Sequence, residues 1–274
     1  MEKNETVYVQ RGGDKIMAVA GAILGDIAGS QYEGGECENP WDCDIFTPWA
    51  QFTDDTVTTL AVKYAIDNNV PFVKAFKKIG RGYPNCGYAG MFKRWVFSDN
   101  EEPYGSWGNG SAMRTSYIGE YYEELEDVQR VAEECAAVTH NDPEGIKGAV
   151  VTATCIWMAK HGKTKQEIYD YVLEQYPEDK YPFSIAKDLE YIRENYDWDV
   201  SCQGSVPVAM RCFYESDSYE SFIRNVFSFD CDCDTLCCIG GGVAEEFYGG
   251  TGYDNDELLA NYLTEELFDI YVGD

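Results

Sequence analysis

The stretch IMAVAGAILGDIAGS, residues 16–30, decides what kind of protein this is, because it reads either as the apolar core of a signal peptide or as a helix buried in a globular fold. Asp26 interrupts the apolar run, and Glu2, Glu5 and Asp14 stand upstream, where a signal peptide carries positive charge. The run is also too short for a bilayer-spanning helix, which needs roughly 20 apolar residues. It is read as a buried helix of small residues in a cytoplasmic protein, preceded by a polar N-terminal extension over 1–15.

Outward from this helix the pattern stays helical. Val57, Leu60, Ala61, Tyr64 and Ala65 recur at three- and four-residue intervals, as do Leu125, Val128, Ala132 and Cys135. Ile146, Val150, Ala153 and Trp157 make a third stripe, and Leu258, Leu259, Tyr262 and Leu263 with Leu267 a fourth. Asp142-Pro143-Glu144 and Thr164-Lys165-Gln166-Glu167 have the form of helix starts, a capping residue followed by an acid. Strand alternation is hard to find. With 274 residues, 45% of them apolar, and no Pro/Gly/Ser-rich linker, the chain reads as all-α, one domain of many helices over 16–274. Polar loops fall at 34–52, 98–110, 177–183, 195–205 and 228–234, and loops on a rigid scaffold are where chemistry tends to sit.

Charge excludes some partners. The formal net charge is −28, from 49 acidic and 21 basic side chains, which repels nucleic acid and anionic membrane surfaces. Most of these acids serve solubility, but a few clustered ones can form a site. Eleven cysteines, an odd number without regular spacing, point to reduced thiols and an intracellular compartment.

Two acidic helix starts share a composition. Thr53-Asp54-Asp55 precedes the apolar helix beginning near 57, and Asp232-Cys233-Asp234-Thr235 precedes another apolar run. Each offers two carboxylates beside a threonine hydroxyl, oxygen ligands that suit hard divalent cations such as Mg²⁺; capping alone is the plainer reading of either turn. Cys231, Cys233, Cys237 and Cys238 match no usual zinc spacing and read as small core residues. Gly240-Gly241-Gly242 reads as tight helix packing rather than ligand contact.

Five segments in order then carry a likeness: GAILGDIAGSQYE (21–33), FTDDT (52–56), GSWGNGSAMR (105–114), THNDPEGIKGA (139–149) and DCDTL (232–236). Together, across about 17–250, they resemble the ADP-ribosylglycohydrolases, a family that includes dinitrogenase-reductase-activating glycohydrolases and ADP-ribosyl-acceptor hydrolases. The resemblance implies a compact all-α orthogonal bundle with two Mg²⁺ ions, Mn²⁺ being an alternative. It implies hydrolysis of the bond between C1″ of ADP-ribose and an acceptor, either an ADP-ribosylated protein side chain such as arginine or a small molecule. Thr53, Asp54, Asp55, Asp232, Asp234 and Thr235 correspond to metal ligands, and Glu33, Asp55 and Asp234 to catalytic positions. Gly105, Ser106, Trp107, Gly108 and Asn109 correspond to a loop holding the diphosphate and ribose, Trp107 to an aromatic against adenine, and His140 to a histidine lining the cleft. Glycine amides in 105–110 could also receive phosphate oxygens as a backbone nest does.

Each residue has a plain alternative: Trp107 as a core anchor, Glu33 as a loop acid, His140 as a helix C-terminal cap, Asn109 as a left-handed turn residue. Asp230-Cys231 stands where the family often has two glycines, so the loop geometry is expected to differ, with Asp230 either near the second ion or in solvent. The segment 34–50, with Cys37 and Cys43, is read as a flap near Glu33. The resemblance also allows a catalytically inactive ADP-ribose binder or immunity protein of the same fold, and the paired acidic sites also suit a dinuclear phosphoesterase.

Overall fold

The computed structural model describes residues 18–33 and 37–273; the N-terminal extension read at 1–15 lies outside them. The described residues form α1 (Ala18–Ser30), α2 (Asp54–Asp67), α3 (Phe72–Gly80), α4 (Gly90–Phe97), α5 (Ser116–Tyr121), α6 (Leu125–Ala137), α7 (Pro143–Lys160), α8 (Lys165–Gln175), α9 (Leu189–Asn195), α10 (Cys202–Tyr214), α11 (Tyr219–Val226), α12 (Cys233–Tyr248), α13 (Asn255–Tyr262) and α14 (Glu265–Val272). One bridge between Gly108 and Ser201 stands apart from any named strand. The chain is all-α, and no described helix is long and apolar enough to cross a membrane.

Residues 18–30 of the small-residue stretch, helix α1, form the central seam with α12. On α1, Gly21, Gly25 and Gly29 recur every four residues and so line one face. A Cβ added to Gly21 would lie 2.5 Å from the Gly241 carbonyl oxygen, one on Gly25 2.3 Å from that of Cys237, and one on Gly29 2.5 Å from the Asp234 Cα. α12 answers in kind, since a Cβ on Gly241 would lie 2.3 Å from the Gly21 oxygen and one on Gly240 2.4 Å from the Phe222 ring. Each helical glycine costs about 1 kcal/mol in propensity relative to alanine; here that cost is offset by letting the two backbones touch. The side chain of Glu245 on α12 accepts the Gly21 amide at 2.5 Å, and Tyr219 on α11 donates its hydroxyl to the Gly21 carbonyl at 2.7 Å. α1 is thereby fixed to both α11 and α12.

The helix starts read from the sequence are present. Asp142 caps α7 with Pro143 next to it, and Thr164 with Glu167 closes a reciprocal capping box on α8. Two periodicity readings need correction. On α7 the predicted stripe, Ile146, Val150, Ala153 and Trp157, is mostly half-buried, whereas Gly145, Gly148, Ala149, Thr152 and Ile156 are buried. α7 packs against α5, α6, α10 and α12, and small residues set its closest faces. The C-terminal stripe is two helices, because the Thr264 hydroxyl accepts from the Leu267 amide and starts α14 afresh after Leu263.

Candidate metal centre and the family it belongs to

Helix α2 begins at Thr53, whose Oγ1 accepts the Asp55 amide at 3.3 Å, so Asp54 and Asp55 occupy the first turn where the helix dipole favours negative charge. A second helix completes this start. Asp26, fully buried on α1, accepts the Thr53 amide at 2.9 Å, the Thr53 hydroxyl at 2.7 Å, the Thr56 amide at 3.0 Å and the Thr56 hydroxyl. Gly87, at φ +109° in the loop after α3, brings its Cα against Asp54: a Cβ there would sit 2.9 Å from Asp54 Oδ1. Only glycine serves this turn, on both conformational and steric grounds.

The acidic start of α12 meets the same place. Asp232 is its N-cap, and its Oδ2 accepts Asn109 Nδ2 at 2.7 Å; the same amide nitrogen donates to Ser205 Oγ on α10 at 3.0 Å. Asp234 Oδ1 accepts the Thr235 amide at 2.8 Å, and Thr235 Oγ1 reaches Asp55 Oδ2 at 3.4 Å. Two carboxylate groupings result, Asp26 with Asp55 and Asp234, and Glu33 with Asp232 and Asp234, each with ligand atoms within 4.8 Å of one another. Asp234 belongs to both, so one carboxylate links the two groupings.

Burial first, and then the neighbouring acids, push these groups toward holding protons. The Asp54 carboxyl is raised to about 8 by burial and by Asp26, and those of Asp55 and Asp234 are raised well above the usual carboxylate range by burial first, then by Asp26 in the case of Asp55 and by Asp55 in the case of Asp234. Glu33 is raised by burial, then by Asp232 and Asp26, while burial lifts Asp232 against the opposing Asn109 bond. No ion pair among the described residues reaches any of these acids. Asp55 Oδ1 is buried without a hydrogen-bond partner, a condition that ordinarily costs 1–3 kcal/mol or more. An oxygen-only donor set with an orphaned buried carboxylate oxygen fits a hard divalent cation.

The thiols stand apart. Cys231, Cys233, Cys237 and Cys238 are buried, Cys238 Sγ donates to the Met113 carbonyl at 3.2 Å, and no cysteine joins either grouping. All eleven cysteines are unpaired. Asp230 is exposed and outside both groupings, and Asn69 is the only described non-glycine residue at positive φ, so the loop before α12 needs no glycine where Asp230 and Cys231 stand.

The 105–109 loop departs from a phosphate nest. Four of its amides are already engaged: Gly105 to Asn141 Oδ1 at 2.8 Å, Ser106 to the Thr139 carbonyl at 3.4 Å, Gly108 to Ser106 Oγ at 3.2 Å and Asn109 to the Val200 carbonyl at 2.8 Å. Trp107 is 51% exposed, which removes the core-anchor reading, and Asn109 starts a 3-10 turn rather than a left-handed one. His140 is buried behind the loop, its Nε2 3.3 Å from where a Cβ on Gly110 would lie. Segment 37–50 is tied down: Gln31 binds the Ile45 carbonyl and Thr47 hydroxyl, and Arg224 binds the carbonyls of Pro40 and Cys43.

A family model described as ADP-ribosylglycohydrolase matches residues 13–252, most of the chain. This chain is an ADP-ribosylglycohydrolase family member. Among its curated relatives, ADP-ribosylhydrolase ARH3 of Homo sapiens is 27% identical over 89% of this chain and 91% of its own length. ADP-ribosylhydrolase ARH3 of Gallus gallus is 29% identical over 84% of each chain. A solved structure titled "ADP-ribosylglycohydrolase-related protein complex" superposes with a TM-score of 0.69, covering 93% of this chain and 94% of its own at 21% identity, and so shares the fold of this ADP-ribosylglycohydrolase family member.

Sequence reading missed Asp26 as part of the centre, although its charge inside an apolar run was the available signal. It also gave no hint that Asn109 and Ser205 brace Asp232, or that Gly87 lies against Asp54, because these contacts join residues far apart in sequence.

Proposed function

We propose that this family member is a divalent-metal-dependent hydrolase that cleaves the glycosidic bond between C1″ of ADP-ribose and an acceptor, reversing mono-ADP-ribosylation. The observation that carries the reading is the pair of carboxylate groupings sharing Asp234, with one buried Asp55 oxygen unpartnered, in a chain of this family. Thr53, Asp54, Asp55, Asp232, Asp234 and Thr235 are the proposed holders of two Mg²⁺ ions, with Mn²⁺ as a substitute. When bound, such ions would hold ribose hydroxyls and lower the pKa of a water.

The chain's own residues supply the rest. Glu33 is the solvent-facing member of its grouping, so a sugar entering the cleft meets this carboxylate first, where it can take or give the proton that glycoside cleavage requires. Asp55 and Asp234 join the two halves of the centre. Asn109 holds Asp232 by its amide, so that its proposed contact with substrate is combined with bracing. The exposed Trp107 ring offers a face on which a nucleobase can stack. With most amides of 105–109 engaged within the protein, this loop keeps few free donors for a diphosphate.

The test is release of ADP-ribose from mono-ADP-ribosylated arginine and serine peptides by purified protein, with Mg²⁺, with Mn²⁺ and with EDTA. Metal-dependent release from either acceptor is expected, and its loss in Glu33→Gln. ADP-ribose bound with no turnover on any acceptor would instead favour a binding protein, and AMP or phosphate as product a phosphoesterase.

A further inference from the structure

We propose that Asp26 is a positioning residue for the metal centre: it accepts the hydrogen bond of the Thr53 hydroxyl, which leaves a lone pair of the Thr53 oxygen for the cation. The inference rests on the metal-binding reading above. A threonine hydroxyl has one proton and two lone pairs. To serve a cation, its proton must be directed elsewhere.

Thr53 Oγ1 has two carboxylates within reach, Asp26 Oδ1 at 2.7 Å and Asp55 Oδ2 at 3.2 Å. A proton given to Asp55 would occupy an oxygen of the cation cluster. The shorter contact gives it to Asp26, whose other oxygen is pinned by the amides of Thr53 and Thr56 and by the Thr56 hydroxyl. One lone pair of Thr53 Oγ1 receives the Asp55 amide at 3.3 Å, leaving the second for the centre. Within the grouping of Asp26, Asp55 and Asp234, Asp26 accepts four donors, three of them at Oδ2, while Asp55 Oδ1 has none. Asp26 therefore holds, and Asp55 ligates. Its aim is set by the seam, since Gly25 and Gly29 on either side of it press α1 onto the backbone of α12.

Asp26→Asn separates this role from capping. Two backbone N–H groups converge on the Oδ2 position, so the amide oxygen must sit there and the NH₂ must face Thr53 Oγ1. A donor then replaces an acceptor, and the Thr53 proton is driven toward the cation. Calorimetry with Mg²⁺ or Mn²⁺ on the metal-stripped full chain is expected to show affinity falling roughly 10- to 100-fold, the scale on which ligand-orienting partners act. The metal-free melting temperature should not fall. Thr56→Val removes one donor to Asp26 but leaves the Thr53 bond, so it should lower stability and spare affinity. Thr53→Val should lose affinity, and adding Asp26→Asn to it should cost no more.

Wild-type affinity in Asp26→Asn overturns the inference, as does an equal loss in Thr56→Val or an additive double variant. Should Asp26→Asn not fold, equal affinities in Thr53→Val and Thr56→Val overturn it. Failure of the wild type itself to bind either metal overturns the metal reading and this inference with it; a binding wild type with an indifferent Asp26→Asn overturns the inference alone.

Discussion

Burial governs His140. Its imidazole is held well below the usual histidine pKa by desolvation and then by the Arg114 guanidinium, which donates to Thr139 Oγ1 at 2.9 Å while that hydroxyl lies 2.8 Å from His140 Nδ1. The unfolded chain takes up this proton near pH 6.5 and the native protein does not. Below that pH the unfolded state binds more protons, so stability contributed at this site is full above about pH 6.5 and lost as pH falls through it. The thermal midpoint of the wild type is therefore expected to drop more steeply from about pH 7 to 5 than that of His140→Gln; equal slopes would refute the assignment. At this scale the sequence was informative where residue type dictates chemistry, as at Asp55, Asp232 and Asp234. At Asp26 the charge inside an apolar run marked an unusual residue but not its partners, because the donors that hold this carboxylate come from another helix.

The seam between α1 and α12 makes the sharpest prediction among the helices. Gly25→Ala would place a methyl group 2.3 Å from a backbone carbonyl that has nowhere to move. Overpacking of this kind costs typically 1–3 kcal/mol and outweighs the ~1 kcal/mol that alanine returns in propensity. The urea midpoint should fall accordingly, whereas Gly90→Ala, whose Cβ would meet nothing nearer than Arg94 Nη1 at 3.6 Å, should leave it level or raise it. Periodicity identified α1 as buried and small but could not name its partner, since closeness of two helices 224 residues apart at Gly21 and Glu245 leaves no trace in spacing. On α7 it chose the wrong stripe for a related reason: a helix packed on several sides buries its glycines and alanines deepest, and these weigh little in an apolar pattern.

For the whole molecule, fold class was legible because every long apolar pattern had the helical period, and the family segments lie in their order along the chain. The site's depth was not, because it depends on how α1, α2 and α12 converge. That convergence buries acids at the middle of a protein already carrying a net charge of −28, so a bound cation relieves repulsion that the folded state creates. Mg²⁺ at about 100 times its Kd should stabilise the native state by ~2.7 kcal/mol, read as a rise in melting temperature reversed by EDTA. Asp55→Ala should abolish the rise, and a shift that survives this substitution would locate the ion elsewhere.

The contact between Thr235 and Asp55 spans 180 residues, and this gives the centre a place in time as well as in space. During synthesis Asp26 on α1 and Asp54 and Asp55 at the start of α2 leave the ribosome before Asp232 and Asp234 exist to complete either grouping. Loop closure over so many residues must precede any reward from the contacts it brings. A nascent chain that has not yet reached α12 thus holds neither carboxylate grouping, and the set is complete only once the last large helix has docked on the first.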